Sequence, residues 1–422
     1  MRDERRFLGY LFDRAVAAAQ PANLMRGQLP PPPRGRTIVI GAGKAAASMA
    51  RAVEDNWPAP LAGLVITPYR HTLESAQIEI FEAAHPVPDS AGRDAAKRIL
   101  TMVGNLVEDD LVICLLSGGG SALLSIPAEG IRFNDKQTVT ADLLKSGASI
   151  AEINCVRKHL SAIKGGRLAS ACAPARLVTL AISDVPGNDI SVIASGPTVP
   201  DDTTCRMALD IIHKFEIAAS ERILDRLGNP AAETPKPGDP RFTRSEARII
   251  GTADDAMSAA ADAARRENIG PLVLGDLTGD ARELADEHAA LAREIASASG
   301  TLRPPCVLIS GGETTVRVSG HGKGGRNSEY ALALALALDG HPGIYAIACD
   351  TDGIDGTEDN AGCHVTPDSL TRALERSLDA RALLEKNDSY RFFSGLGDLV
   401  VTGPTLTNVS DFRAILICPS DR

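Results

Sequence analysis

Val112-Ile-Cys-Leu-Leu-Ser-Gly-Gly-Gly120 and Cys306-Val-Leu-Ile-Ser-Gly-Gly-Glu313 carry the same message twice: an apolar run of strand length that ends in Ser-Gly-Gly. A run that is apolar at every position, rather than at every second one, suits a strand covered on both faces. Around the first copy, Thr37 to Ile40, Leu64 to Thr67 and Leu177 to Ile182 alternate with helical patterns. Around the second, Arg248 to Gly251, Pro271 to Gly275, Gly343 to Ala348 and Phe412 to Cys418 do the same. The alternation predicts an α/β protein of two domains, each with a mainly parallel sheet covered by helices. Gly228 to Pro240 holds four prolines and no periodicity, so it reads as a surface linker between a domain at 1–236 and a smaller one at 243–422. The final strand is free to return to the first sheet. In open parallel sheets a ligand lies beyond the carboxyl ends of strands, so both Ser-Gly-Gly turns belong beside a ligand, and an active site in an interdomain cleft is expected.

Composition narrows the function. The chain has 422 residues, 44% of them hydrophobic, with 54 acidic against 44 basic side chains and a net charge of -10. That balance argues against a nucleic-acid surface, and aromatic residues at 4% are too scarce for base-stacking platforms. The eight cysteines are dispersed without a C-x-x-C pair, as expected of reduced thiols in a cytoplasmic protein. No apolar run reaches the roughly 20 residues of a membrane span. Phe7, Leu8, Leu11, Phe12 and Ala15 have helical spacing, which makes the N-terminus an amphipathic helix rather than a signal peptide.

Several elements could hold an anion. Gly41-Ala-Gly43-Lys44-Ala-Ala46 fits the permissive G-x-G-x-x-G/A pattern between a strand and a helix. No acid follows at the end of the second strand to hold the ribose of NAD, although Arg70 leaves NADP open. Lys44 at the mouth of that turn could neutralise a transferring phosphoryl group or a carboxylate. Ser310-Gly-Gly312-Glu313-Thr314-Thr-Val316 followed by Gly320-His-Gly-Lys-Gly-Gly-Arg326-Asn327 is a strand, a turn and a basic glycine loop opening a helix. Its glycines, Lys323 and Arg326 look like a cradle for phosphate or carboxylate. Asn154, Lys158 and Ser161 fall on one face of a helix that a Ser149/Glu152 capping box should start and carry to about Ile163, with Arg157 and Lys164 close by. Asp184 and Asp189 follow a strand, where carboxylates can bind Mg²⁺ or accept a hydroxyl proton. Asp350, Asp352 and Asp355 form an acid-rich turn, but Ala361 at the loop's twelfth position excludes an EF-hand. There is no P-loop motif, no H-R-D, no H-E-x-x-H and no G-x-S-x-G.

Nine ordered strings together resemble one family, the class II glycerate 2-kinases with a C-terminal MOFRL domain. They are Gly41 to Ala45, Leu116 to Leu123, Asn154 to Ser161, Ser183 to Gly187, Ile193 to Thr198, Ser310 to Thr315, Gly324 to Glu329, Thr351 to Gly356 and Thr402 to Val409. The resemblance covers nearly the whole chain and implies a Rossmann-like N-terminal domain, with ATP and D-glycerate as substrates and phosphorylation at the 2-hydroxyl with Mg²⁺. It also implies Lys44 and Arg326 as active-site residues. Asn188 stands where the family commonly has an acid, so Asp184 or Asp189 must supply the metal ligand or base. Gly43, Ser117, Gly118, Gly119, Gly120, Ser121, Asn154, Lys158, Lys164, Asp189, Gly312, Glu313, Thr314, Asn327 and Asp352 are the expected binding residues. A homodimer is left open, and neither nucleic acid nor a membrane is an expected partner. Some family members are labelled hydroxypyruvate reductase, so an NAD(P)H-dependent reductase is the enzymatic alternative. A sugar-acid or nucleotide sensor is the non-enzymatic one.

Overall fold

The computed structural model describes residues 4–297 and 302–419. The chain divides into a central unit, Leu24–Ile250, and a terminal unit made of Met1–Asn23 with Gly251–Arg422.

In the central unit, β1 (Thr37–Ala42), β2 (Ala62–Pro68), β3 (Ile78–Ala83), β4 (Leu111–Leu116), β5 (Arg176–Ile182) and β6 (Ser245–Gly251) form a sheet ordered β3-β2-β1-β4-β5-β6. β1 pairs in parallel with β2 and β4, β2 with β3, and β4 with β5. Every residue of β1 and β4 is buried, as their unbroken apolar runs require. Strand order reverses between these two, so a crevice opens beyond their carboxyl ends, where Ala42 is in register with Leu116. The Lys44 turn and the Ser117 turn both begin there. β3 was not expected, because Glu79 and Glu82 interrupt its apolar pattern and leave it a half-exposed edge.

In the terminal unit, β7 (Gly270–Asp276), β9 (Cys306–Gly312), β11 (Ile344–Asp350), β12 (Gly362–Val365), β13 (Leu399–Val400) and β14 (Asp411–Ile417) form a second sheet, ordered β13-β12-β11-β14-β9-β7. Two short strands, β8 (Gly279–Asp280) and β10 (Thr314–Thr315), pair with each other. This sheet is mixed rather than mainly parallel: β7 and β9 are its one parallel pair among the described residues. The cause is β14, wholly buried, which runs antiparallel between β9 and β11 instead of returning to the first sheet. Its register sets Asp411 opposite both Gly312 and Asp350.

The expected boundaries also shift. The first helix, Glu4–Ala18, belongs to the terminal unit, where Phe12 meets Phe412 at 6.0 Å between ring centroids and Arg5 pairs with Asp398. Gly228 to Pro240 is no free linker: Arg167 donates to the carbonyls of Ala232 and Glu233, and Thr234 to Asp201. The chain then adds β6 beside β5 before leaving the central unit. The helix capped by Ser149 and Glu152 forms but stops at His159, since Ser161 turns away to bridge Pro127 and donate to the Ile126 carbonyl. Among the described residues no helix is long and apolar enough to cross a membrane.

Candidate active site

At the crevice of the central unit the two turns are packed backbone to backbone. Lys44 N–H donates to the Gly118 carbonyl at 2.8 Å, Ala45 N–H to Ser117 Oγ at 3.0 Å and Ala46 N–H to the Gly43 carbonyl at 3.1 Å. Gly43 has φ +143°, and a Cβ there would strike the Ser117 hydroxyl. The amides of the turn leading into the helix Ala46–Asn56, from Lys44 to Ala46, are therefore engaged by the chain's own oxygens. The half-buried Lys44 side chain passes Gly119, where a Cβ would lie 3.4 Å from Lys44 Cγ and 3.0 Å from His85 Nε2.

Behind this turn, Ser121 and Ser195 hydroxyls meet at 2.8 Å, Ser195 donates to Asn154 Oδ1 at 3.0 Å, and Lys164 Nζ donates to the Ser121 carbonyl at 2.7 Å. Ala194 and Ser195 hold φ values of 52° and 62°, strain of the kind that collects where side-chain placement matters. Gly120 is confined between Ala194 and the Ala42 carbonyl. Ser117 to Ser121, Asn154 and Lys164 thus gather as expected. Lys158 does not join them: it is buried in an ion pair with Asp201 at 3.1 Å, and that carboxylate also accepts from Thr203 and Thr234. Asp184 is half-buried just past β5, whereas Asp189 is exposed and accepts from Ser191 N–H at 2.8 Å, an Asx turn.

In the terminal unit, Arg326 donates to Asp411 at 2.8 Å, Glu313 at 2.9 Å and Asp350 at 2.8 Å. Burial opposes its charge, but Asp411, Asp350 and Glu313 outweigh that and hold its pKa well above the ordinary value. Asn327 donates to the same Asp411 oxygen at 2.7 Å, and fully buried Arg413 donates to Asp411, Thr314 and the Gly311 and Gly312 carbonyls. Asp352 is buried and accepts from Ile354 N–H. Asp276 stands nearby; burial, then Asp254, push its carboxyl pKa up.

The glycine loop does not form the open anion cradle its composition suggests. The N–H groups of Ser319 and Gly320 donate to Asn387, Gly322 to the Lys386 carbonyl and Lys323 to Asp388. The start of the helix Arg326–Leu338 already holds an anion of the chain itself: Asp355 accepts from Asn327 N–H, Ser328 N–H and Ser328 Oγ at 2.9, 2.8 and 2.6 Å. Lys323 is exposed and pairs with Glu358.

Sequence reading missed Asp411, Arg413, His85 and Lys136. Asp411 and Arg413 sit inside what reads as a plain terminal strand. Lys136 left a usable signal: with Val139 and Leu143 it occupies the buried face of the helix Phe133–Lys145, an unusual place for a cation.

The MOFRL family matches residues 306–411, and a domain of unknown function, DUF4147, matches residues 7–228. The chain is 39% identical over 407 residues to the D-glycerate 2-kinase of Thermotoga maritima, covering 96% of each. The chain belongs to the MOFRL glycerate 2-kinase family. A crystal structure of glycerate kinase from the same organism superposes with a TM-score of 0.88 at 38% identity, over 99% of this chain and 100% of that one. A family member of Agrobacterium vitis with the provisional name hydroxypyruvate reductase is 51% identical, over 98% of this chain and 94% of its own.

Proposed function

We propose that this chain is an ATP-dependent kinase that transfers a phosphoryl group to the 2-hydroxyl of D-glycerate, releasing 2-phosphoglycerate and ADP. Against the reductase reading, one observation carries most weight: Lys44, Ala45 and Ala46 N–H groups already donate within the chain. A nicotinamide dinucleotide needs those amides for its pyrophosphate. Arg70, the candidate for an NADP phosphate, has its own N–H held at 2.5 Å by Glu82, whose carboxylate would repel that phosphate.

Phosphoryl transfer asks the protein for positioning and charge rather than covalent chemistry. Lys44, at the β1/β4 crevice, suits a point contact to the transferring group. Arg326 has three of its five N–H donors on carboxylates, so two remain for a ligand. Its charge is compensated, which makes it an orienting donor more than a source of positive potential.

Mg²⁺, if held here, would supply neutralisation of the charge that develops on the phosphates during transfer. It commonly needs only one or two protein carboxylates beside phosphates and water, and half-buried Asp184 fits that role better than Asp189. The one gathering of three His, Cys, Asp or Glu donors among the described residues, His159, Cys205 and Glu233, contains neither. A cytoplasmic setting is supported by eight free cysteines, seven of them buried.

An enolase-coupled assay tests the reading, because enolase consumes 2-phosphoglycerate and not the 3-isomer. With Mg-ATP and D-glycerate, absorbance from enolpyruvate phosphate should rise in step with ADP. NADPH loss with hydroxypyruvate, and no glycerate-dependent ADP, would overturn it.

A further inference from the structure

The Gly119–Ser121 turn is one wall of a cavity of about 300 Å³ that lies within the central unit. Facing it are the helices Phe133–Lys145 and Ile150–His159, which contribute Lys136 and Arg157, and Lys164 adds a third cation. Among the described residues no Asp or Glu lines the cavity. Lys136 and Lys164 are 4% and 1% exposed, and their ammonium groups have only neutral oxygens as partners: Ser125 Oγ and the Ile126 carbonyl for one, Ser121 and the Ala194 carbonyl for the other. The half-buried guanidinium of Arg157 has no hydrogen bond or ion pair among the described residues.

Three like charges in one desolvated space repel each other, and the amines register it. Burial, then Arg157, bring Lys136 down to about 7; burial, then Lys136 and Arg157, put Lys164 well below its usual value. An anion of more than one charge would relieve that repulsion. The outer part of the cavity is of another kind, with Pro86, Val87 and Leu144 exposing apolar surface. Glycerate, a small acid with hydroxyls on every remaining carbon, has nothing to place there. A cavity of this size with apolar walls and a few convergent polar groups suits a larger ligand.

We infer that this cavity seats the nucleotide, with the polyphosphate against Lys136, Arg157 and Lys164 and the base against Val87 and Leu144. The inference rests on the kinase reading, yet the two can fail separately. Calorimetric titration of the full chain with ADP, beside steady-state KM values for ATP and D-glycerate, tests it in Arg157→Ala and in Leu144→Glu. The second change sits at a 59% exposed helix position, so its folding is not at issue. Each should raise the ADP Kd about tenfold or more, as loss of a charge-assisted contact or gain of a repulsive one does, and leave the glycerate KM within about twofold. Arg157→Lys should recover part of the loss. Unchanged ADP binding in both variants, or a shift in glycerate KM instead, overturns the assignment. Wild-type protein that binds ADP but makes none from glycerate overturns the kinase reading, with the variants' Kd values still deciding the cavity. Wild-type protein that does not bind ADP at millimolar concentration overturns both.

Discussion

In the central unit Lys136, Arg157 and Lys164 share a cavity with no carboxylate among the described residues, whereas in the terminal unit Arg326 alone donates to three, Asp411, Asp350 and Glu313. Both regions follow buried strands that end in Ser-Gly-Gly, and both look basic in sequence. Their charge balance is opposite. One holds positive charge in reserve for a ligand; the other sets two arginines, Arg326 and Arg413, among at least three acids. Basic residues near a glycine turn therefore say little about potential until their partners are known.

The sharpest way to break this comparison is Arg326→Ala. Asp350 and Asp411 would keep their burial and lose the Arg326 ion pair, leaving Asp411 with Arg413, and removal of one member of a buried pair typically costs about 3–5 kcal/mol. Urea unfolding should show that loss. A midpoint near wild type would mean the carboxylates are not held by Arg326, and the contrast between the units would collapse.

Lys44→Met should do the reverse. Loss of one preorganised charge at a transferring group typically lowers kcat by about 10²–10³-fold. Lys44 is only half-buried, and a single substitution at such a position costs far less than an arginine buried among three carboxylates, so the unfolding midpoint should move less than for Arg326→Ala. Unfolding as severe as that of Arg326→Ala would make Lys44 a structural lysine.

Much of this was readable from sequence and some was not, for physical reasons. Runs apolar at every position, as in β1, β4 and β9, announced themselves because two-sided burial leaves one kind of residue. β3 did not, because an edge strand tolerates Glu79 and Glu82. Residue strings singled out Lys44, Ser121 and Arg326 as candidates, and a basic helical run Lys164, but nothing local marks whether a cation is already neutralised. Asp201 lies 43 residues from Lys158 and Asp411 lies 85 from Arg326, so both pairings are products of the fold. The antiparallel insertion of β14 was hidden for the same reason, since strand direction is fixed by connection and not by composition.

Lys136→Met gives a smaller, pH-dependent effect that sharpens the cationic half. With its pKa near 7 when folded and near 10.4 when unfolded, Lys136 carries its full charging penalty below about pH 7. Between those values only the unfolded chain stays protonated, so wild-type stability gains on the variant as pH rises. The variant should be the more stable by on the order of 2 kcal/mol at pH 6, and that margin should shrink toward pH 10. A margin independent of pH would mean that Lys136 is not the strained charge.

Lys323→Ala should change least, and for that reason it tests the reading of the glycine loop. Sequence places Lys323 at the centre of an anion cradle, but its side chain is 66% exposed beside Glu358, and the amides around it donate to Lys386, Asn387 and Asp388. An exposed pair of this kind contributes at most about 1 kcal/mol, so the unfolding midpoint should hardly move. KM values for ATP and D-glycerate should stay within about twofold, the range expected for a surface change away from ligand. A tenfold rise in either would return the loop to the substrate and leave Asp355, which fills the helix start through three hydrogen bonds, as a group that must give way when ligand binds.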